Sequence, residues 1–387
     1  MFNIEHFTLF GILFCLSFAL ATKPQKSYDR NFWGATAFFI IAYTIIVGLR
    51  DGWGGDYVNY EFSYNMLEYD YTKDYDIAYW KMYEWEKALG LPFAGSVLIS
   101  TLLIVISYFY IVKAMKGDKY MLMCFLPATL LITTYAMRQF HAIAYINIAI
   151  ALILFNDNLI KKRKWAIITS ALLVLLAYHT HSASLAYAIP FAIFLFYRNP
   201  IHIPYKISIV VFLCTIVFAS IITPIFNNIF LSFFEGLTMN DHLQNYVDKA
   251  DGIIFGEDSI EDNMFAYGGI FQIVHYAGQI CLLYVTARAL SIKPNKNVTY
   301  IYNIVVIAIL IQQIFSNQEI MRRLIDPIAL LYFIPLGYAI NILMEYRKLR
   351  FKGYDLYLLC MGIALFRVYY QMLSFLTDFR LAGFVWD

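Results

Sequence analysis

The sequence predicts an all-α polytopic membrane protein: a single transmembrane domain over 1–387, about twelve spanning helices, and two larger external loops at about 50–92 and 232–268. Three observations carry this. Of 387 residues 61% are hydrophobic and 14% charged, with a mean hydropathy of +0.60, whereas a soluble globular chain is charged at about one residue in four. Apolar runs approaching the roughly 20 residues that a helix needs to cross lipid recur along the chain. Lysine and arginine collect in every second connection between those runs. A net charge of +2 is too small to point to nucleic acid as a partner.

Taken in order, the expected spans are 4–22, 32–49, 93–113, 120–136, 140–156, 165–178, 184–197, 207–231, 269–287, 300–315, 325–344 and 354–376. The first does not read as a cleavable signal peptide, because Glu5 and His6 replace a basic start and no small-residue cleavage pattern precedes Lys23. Connections holding Lys23/Lys26/Arg30, Lys113/Lys116/Lys119, Lys161/Lys162/Arg163/Lys164, Arg198/Lys206, Arg288/Lys293/Lys296 and Arg347/Lys348/Arg350/Lys352 contain 19 of the 29 basic residues. The positive-inside rule makes these six cytoplasmic and turns both termini outward. The two long loops are then external, and both are acidic. The first has nine Asp/Glu against four Lys/Arg, the second eight against Lys249 alone. Cys15, Cys124, Cys214, Cys281 and Cys360 lie in apolar runs without paired or metal-like spacing and read as buried small hydrophobes.

Against this map the arginines at the outer boundary are out of place. Arg50, Arg138, Arg322, Arg323 and Arg367 all fall at or just inside it, where cations are costly. Arg367 is about 20 Å along its helix from Tyr354, in the outer half of a roughly 30 Å hydrocarbon layer. Internal pairing is one reading: Arg322 and Asp326 are spaced i,i+4, and Arg50 has Asp51 and Asp56 nearby. A multiply charged anion such as pyrophosphate is the other, since guanidinium forks bind phosphate oxygens bidentately and stay charged. Histidine is the second sparse signal. "LLAYHTHSASL" places His179 and His181 at an outer helix junction. Their i,i+2 spacing does not share a helical face, so a paired metal site is not expected, while a general base or a hydrogen-bonded interfacial histidine both fit.

Four stretches carry a family resemblance. "GGDYVNY" (Gly54 to Tyr60) after Arg50, "MRQFHAIAYINIAIALILF" (Met137 to Phe155), "LLAYHTHSASL" (Leu175 to Leu185) and "MRRLIDPIALLYFIPL" (Met321 to Leu336) resemble, in order and spacing, the EpsG-like family of Wzy-type polysaccharide polymerases. Gly54 to Tyr60 follows the family's G-x-D-Y-x-x-Y signature, Arg138 and Gln139 match its Arg-Gln, and Ala177 and His181 match its alanine and histidine at a helix end. Where family members carry serine two residues after that histidine, this chain has Ala183 flanked by Ser182 and Ser184.

The resemblance implies a GT-C-like glycosyltransferase. Its substrates would be oligosaccharide repeats on undecaprenyl pyrophosphate, joined at the outer face of the bacterial cytoplasmic membrane to give O-antigen, capsule or exopolysaccharide, with a flippase and a chain-length regulator in the same pathway. An activated pyrophosphate donor requires no cofactor and no nucleotide-binding domain, and no GxxxxGK[ST] is present. Fixed cations stabilise the leaving group and a base takes the acceptor proton. On this basis Arg138, Arg322 and Arg323, then Arg50 and Arg367, are candidates for pyrophosphate; His181 or Asp56 is the candidate base; Gln139, Tyr57, Tyr60 and His179 complete the candidate substrate contacts, with no metal. The alternatives are an O-antigen ligase or a lipid-linked oligosaccharide flippase. No internal repeat of the kind many transporters show is visible, and the ionisable residues gather at one face. "DIAYWKMYEWEKALG" (Asp76 to Gly90) puts Tyr79, Trp80 and Tyr83 on adjoining helical positions, with Glu84 and Trp85 nearby, either as sugar-stacking faces or as an interfacial belt.

Overall fold

The computed structural model describes residues 4–52, 57–66, 76–155, 163–196, 200–235, 270–315, 319–347 and 350–376. These residues are helical almost throughout, and no strand occurs among them. In chain order the helices are α1 (Ile4–Thr22), α2 (Gln25–Gly48), α3 (Tyr57–Asn65), α4 (Ile77–Ala88), α5 (Phe93–Ala114), α6 (Lys119–Tyr135), α7 (Met137–Ile150) and α8 (Arg163–Thr180). There follow α9 (Leu185–Phe196), α10 (Tyr205–Glu235), α11 (Ile270–Ile292), α12 (Lys296–Ile314), α13 (Glu319–Ala329), α14 (Phe333–Tyr346) and α15 (Tyr354–Leu376). A helix satisfies its backbone groups within one segment, which is what hydrocarbon demands.

Each of the twelve expected spans falls on a helical segment. Among the described residues, six stretches are long and apolar enough to cross a membrane: 25–48, 93–114, 137–155, 272–292, 296–314 and 323–346. Five more are apolar but shorter, at 8–22, 119–130, 164–180, 182–193 and 205–219. The expected span 325–344 is a broken element: α13, which has Pro327 inside it, a 3-10 turn at Leu330–Tyr332, then α14. The span expected at 32–49 is preceded by a further helical segment from Gln25, and the two meet at a kink where Asn31 is non-helical (φ −147°, ψ 77°). The Asn31 side chain accepts from Gly34 N–H at 3.0 Å and so starts the second segment as a cap would.

Helix α6 is the axis of the bundle. Its residues from Met121 to Leu130 are buried almost without break, and it packs against α1, α14 and α15. Asp118 starts it by accepting from Tyr120 N–H and Met121 N–H. Gly337 of α14 lies directly on the α6 backbone at Tyr120 and Met121, an approach that any Cβ would block. On one side of α6 the packing runs α2 to α5 to α7 to α8; on the other, α10, α11, α12, α14 and α15 contact one another. Asn147 ties α5, α7 and α9 together inside the first group, donating to Ser107 Oγ at 3.2 Å and accepting from the Tyr187 hydroxyl at 2.6 Å. Cys124 and Cys281 are buried as expected, but Cys15 and Cys214 are exposed on the flank of the bundle. In helices this apolar the outward face is the one for lipid, so burial is not what an apolar context selects.

The expected loop 50–92 contains helical structure. Helices α3 and α4 fold back onto the bundle and build a second small core from Tyr57, Tyr64, Tyr79, Trp80 and Tyr83 with Phe93, Val97 and Met137. This corrects the reading of the aromatic stretch: Tyr79, Trp80 and Tyr83 are buried against each other rather than presented to sugar or to an interface, and only Trp85 faces outward, 75% exposed. Residues 236–269, which hold most of the second expected loop, and residues 53–56 lie outside the described residues.

Candidate functional site

Three segments distant in sequence meet at one acid. Asp76 is buried, and its Oδ2 stands 3.1 Å from Arg138 Nη1 and 3.5 Å from His181 Nδ1. The first is a charge-assisted hydrogen-bond distance; the second is an electrostatic contact just beyond hydrogen-bonding reach. All three side chains are largely enclosed, at 6%, 20% and 23% exposure for Asp76, Arg138 and His181.

Each residue reaches the cluster through a local departure from ordinary helix chemistry. Asp76 precedes α4 at the position where an aspartate would cap the helix with its side chain, yet it makes no such bond and adopts a left-handed backbone, φ 55°, ψ 37°. Its carbonyl receives Tyr79 N–H, and the carboxylate is left for Arg138. Arg138 lies in the first turn of α7, separated from α6 by Ala136 alone (φ −116°, ψ 57°). A cation there opposes the helix dipole, at a cost of about 0.3–1 kcal/mol that a nearby carboxylate offsets. His181 sits in the break between α8 and α9 with an extended backbone, φ −165°, ψ 102°; its N–H closes α8 on Ala177 O and its carbonyl receives Ser184 N–H.

Other expected residues border this cluster. Tyr60 of α3 lies under the Arg138 guanidinium, 5.8 Å from ring centroid to Cζ. Gln139 donates to the Arg323 carbonyl at 2.5 Å, which ties the middle of α13 to the start of α7; the Arg323 side chain is exposed. Arg322 is in the same turn of α13, with a side chain outside the described residues, as is the whole of Asp56. Asp326, the expected partner of Arg322, accepts from Gln312 at 2.7 Å. His179 is exposed and lines an open apolar groove of about 530 Å³ with Ile77, Ala78, Leu172, Leu175 and Leu176. The groove runs between α4 and α8, so its lining adjoins Asp76 at one helix start and the His181 break at the other helix end.

Three expected contacts are elsewhere. Arg50 is 2% exposed, and its Nη1 donates to Val47 O at 2.7 Å and faces Thr101 Oγ1 at 3.4 Å. It closes the last turn of α2 from inside the protein, without an ion pair to Asp51, and offers no open face to a ligand. Tyr57 is buried edge-on against Phe93, with centroids 5.2 Å apart, and is a packing residue. Arg367 is buried between α15 and α11, away from the cluster. Beneath α3 and α4, burial beside Tyr64, Tyr79 and Tyr83 pushes the Glu86 carboxyl above its ordinary range. Among the described residues no group of three or more His, Cys, Asp or Glu is arranged to hold a metal ion.

Asp76 is the residue that sequence reading missed. In the sequence it is one of nine acids in a loop; the one local signal is its place immediately before a helical aromatic run, which would have suggested a helix cap and not a partner for Arg138.

The helices and the cluster define a helical membrane protein of several spans with an ionic centre assembled at helix starts and breaks. The chain belongs to the EpsG family, whose model matches residues 35–380, a family of Wzy-like polysaccharide polymerases and exopolysaccharide biosynthesis proteins. No curated protein and no solved structure matches it significantly.

Proposed function

We propose that this chain is a polysaccharide polymerase that joins undecaprenyl-pyrophosphate-linked oligosaccharide repeats at the outer face of the bacterial cytoplasmic membrane. The observation that supports this most directly is the Asp76 carboxylate between Arg138 and His181. It collects in one place a cation for a leaving phosphate and an imidazole for an acceptor proton. An acceptor sugar hydroxyl attacks the donor's anomeric carbon, the bond from that carbon to the pyrophosphate oxygen breaks, and undecaprenyl pyrophosphate departs with the bonding pair. His181 takes the hydroxyl proton on Nε2, because Nδ1 is the nitrogen turned toward Asp76. Asp76 balances the charge of Arg138 beside the imidazole. Arg138 meets the pyrophosphate, having five N–H donors where one carboxylate oxygen uses few of them. On this reading Arg322 and Arg323 remain further candidates for the pyrophosphate, and Asp56 for the acceptor sugar, with Tyr60 beside Arg138. The apolar groove between α4 and α8 suits the polyprenyl chain of the same substrate, with His179 at its rim.

The test is polymerisation of a purified lipid-linked repeat by the reconstituted full chain, with product length as readout. His181→Ala and Arg138→Ala are expected to lose polymer, by at least about 100-fold for loss of a general base, while His179→Ala keeps polymer of ordinary length. Normal polymer from His181→Ala overturns the proposal. Transfer of repeats to a different acceptor, with no growth on undecaprenyl pyrophosphate, assigns the chain to ligation instead.

A further inference from the structure

Arg367 stands in the interior of α15 with no counter-charge among the described residues. It is 6% exposed, its Nε and Nη1 have no hydrogen-bond partner, and among the described residues no carboxylate lies within ion-pair distance. Its aliphatic stem rests on Gly278 of α11, where any side chain would collide with the Arg367 Cβ, Cγ and Cδ. The next residue, Gln279, is 4% exposed and has an unpartnered Oε1. His275, one turn earlier on α11, and Tyr332, in the 3-10 turn between α13 and α14, are the titratable groups within electrostatic reach of the guanidinium. The Tyr369 hydroxyl, two residues along α15, is also buried and unpartnered.

Buried guanidinium groups in membrane helices are expensive and are ordinarily met by an acid or by backbone carbonyls. Here the fold makes room for the arginine by keeping glycine opposite it, yet the described residues supply no anion. A group whose charge is preserved but uncompensated is complementary to something that arrives.

We infer that Arg367, with Gln279, His275 and Tyr332 around it, forms a second anion seat for a phosphoryl headgroup, separate from the Asp76 cluster. Resting on the proposed polymerase reading, the occupant is the pyrophosphate of the second lipid-linked reactant. That reaction brings together two lipid-linked chains, each with its own pyrophosphate, and one arginine centre cannot hold both. Arg138 belongs to the start of α7, whereas Arg367 faces α11 on the other side of α6.

The experiment counts undecaprenyl pyrophosphate bound to the full-length protein by native mass spectrometry, alongside a thermal melt without ligand. Wild type is expected to bind two equivalents and Arg367→Met one. In the same variant the ligand-free melting temperature should rise by about 1–4 °C, because an uncompensated buried charge has been removed. Arg367→Lys keeps the charge but not the fork and should weaken only the second equivalent, by about tenfold. A tenfold excess of phosphatidylglycerol or of inorganic pyrophosphate should leave that equivalent in place. Two equivalents retained by Arg367→Met, or a lowered melting temperature, overturn the seat. Displacement by phosphatidylglycerol or inorganic pyrophosphate overturns the assignment to a lipid-linked reactant. One equivalent in wild type that Arg367→Met does not change overturns the second seat and leaves the polymerase reading standing; no binding by wild type overturns both.

Discussion

Replacing Asp76 by asparagine removes one charge and almost no volume, so it isolates what the carboxylate does. The 3.1 Å contact to Arg138 is between side chains 6% and 20% exposed, and a hydrogen bond to a charged group contributes about 1.5–3 kcal/mol. Stranding a fully buried charge costs about 3–5 kcal/mol; because a fifth of the Arg138 side chain remains open to solvent, about 2–3 kcal/mol is the expected loss. For a chain of this length that corresponds to a drop of about 2–4 °C in melting temperature. Asparagine tolerates the left-handed backbone at φ 55°, so no further penalty enters. Asp76→Ala adds roughly 1–2 kcal/mol of backbone cost and should melt lower still. Both variants should lose polymer, since Arg138 and His181 no longer share an anchor. A double-mutant cycle of Asp76→Asn with Arg138→Gln should show a coupling of about 0.5–3 kcal/mol. Additive effects, or ordinary polymer and an unchanged melt in Asp76→Asn, refute the idea that this acid organises the site.

Glu86 gives a pH prediction. Burial raises its pKa above the ordinary 4.5, so the stability of the folded form with a protonated carboxyl is complete below that value and is lost as pH rises through the raised one. Glu86→Gln should therefore melt with wild type near pH 4 and above it at pH 7–8, as read by thermal melts across that range; parallel curves count against a charge penalty at Glu86. At the bundle axis, Gly337→Ala drives a methyl into the α6 backbone at Met121. A cost of about 1–3 kcal/mol should appear as a lower melting temperature and a reduced folded yield in detergent, and an unchanged melt would show that α14 can move away freely.

The fold was legible where composition decides it. A chain this apolar has to be helical in lipid, and the apolar runs located the long helices because charged connections separate them, whereas α3 and α4 lie in a stretch read as a loop. Arg138 and His181 were legible for the same reason: an ionisable residue at the edge of an apolar run has few explanations. Arg50 had the same signature and a different outcome. Sequence places a charge at a helix end without saying whether the side chain turns out to a ligand or back onto its own last carbonyls, and at Arg50 the Val47 carbonyl is what it meets. Tyr57 and Tyr60 are three residues apart in one motif and about 60° apart around the helix, yet one faces Phe93 and the other Arg138, a difference that only the packing around α3 decides. Asp76 was illegible because its value lies in a contact between segments: its place before a helical run suggests only a cap, and its partners Arg138 and His181 come from elsewhere in the chain.

What separates the cluster from an ordinary buried ion pair is that each member is held in a conformation its own segment would not choose. A helix-capping aspartate forgoes its cap and takes positive φ, an arginine occupies the positive end of a helix, and a histidine interrupts two apolar helices that would otherwise run on. One such departure is common in any protein. Three that converge on a single carboxylate oxygen would have to be maintained together against an arrangement that is locally cheaper at every position, and an apolar substitute for a buried ion pair is often as stable as the pair itself. Stability therefore gives no reason for the arrangement to exist. Sites where local preference and the fold disagree are where chemistry is expected, and here the disagreement falls on the two residue types that the proposed reaction would use.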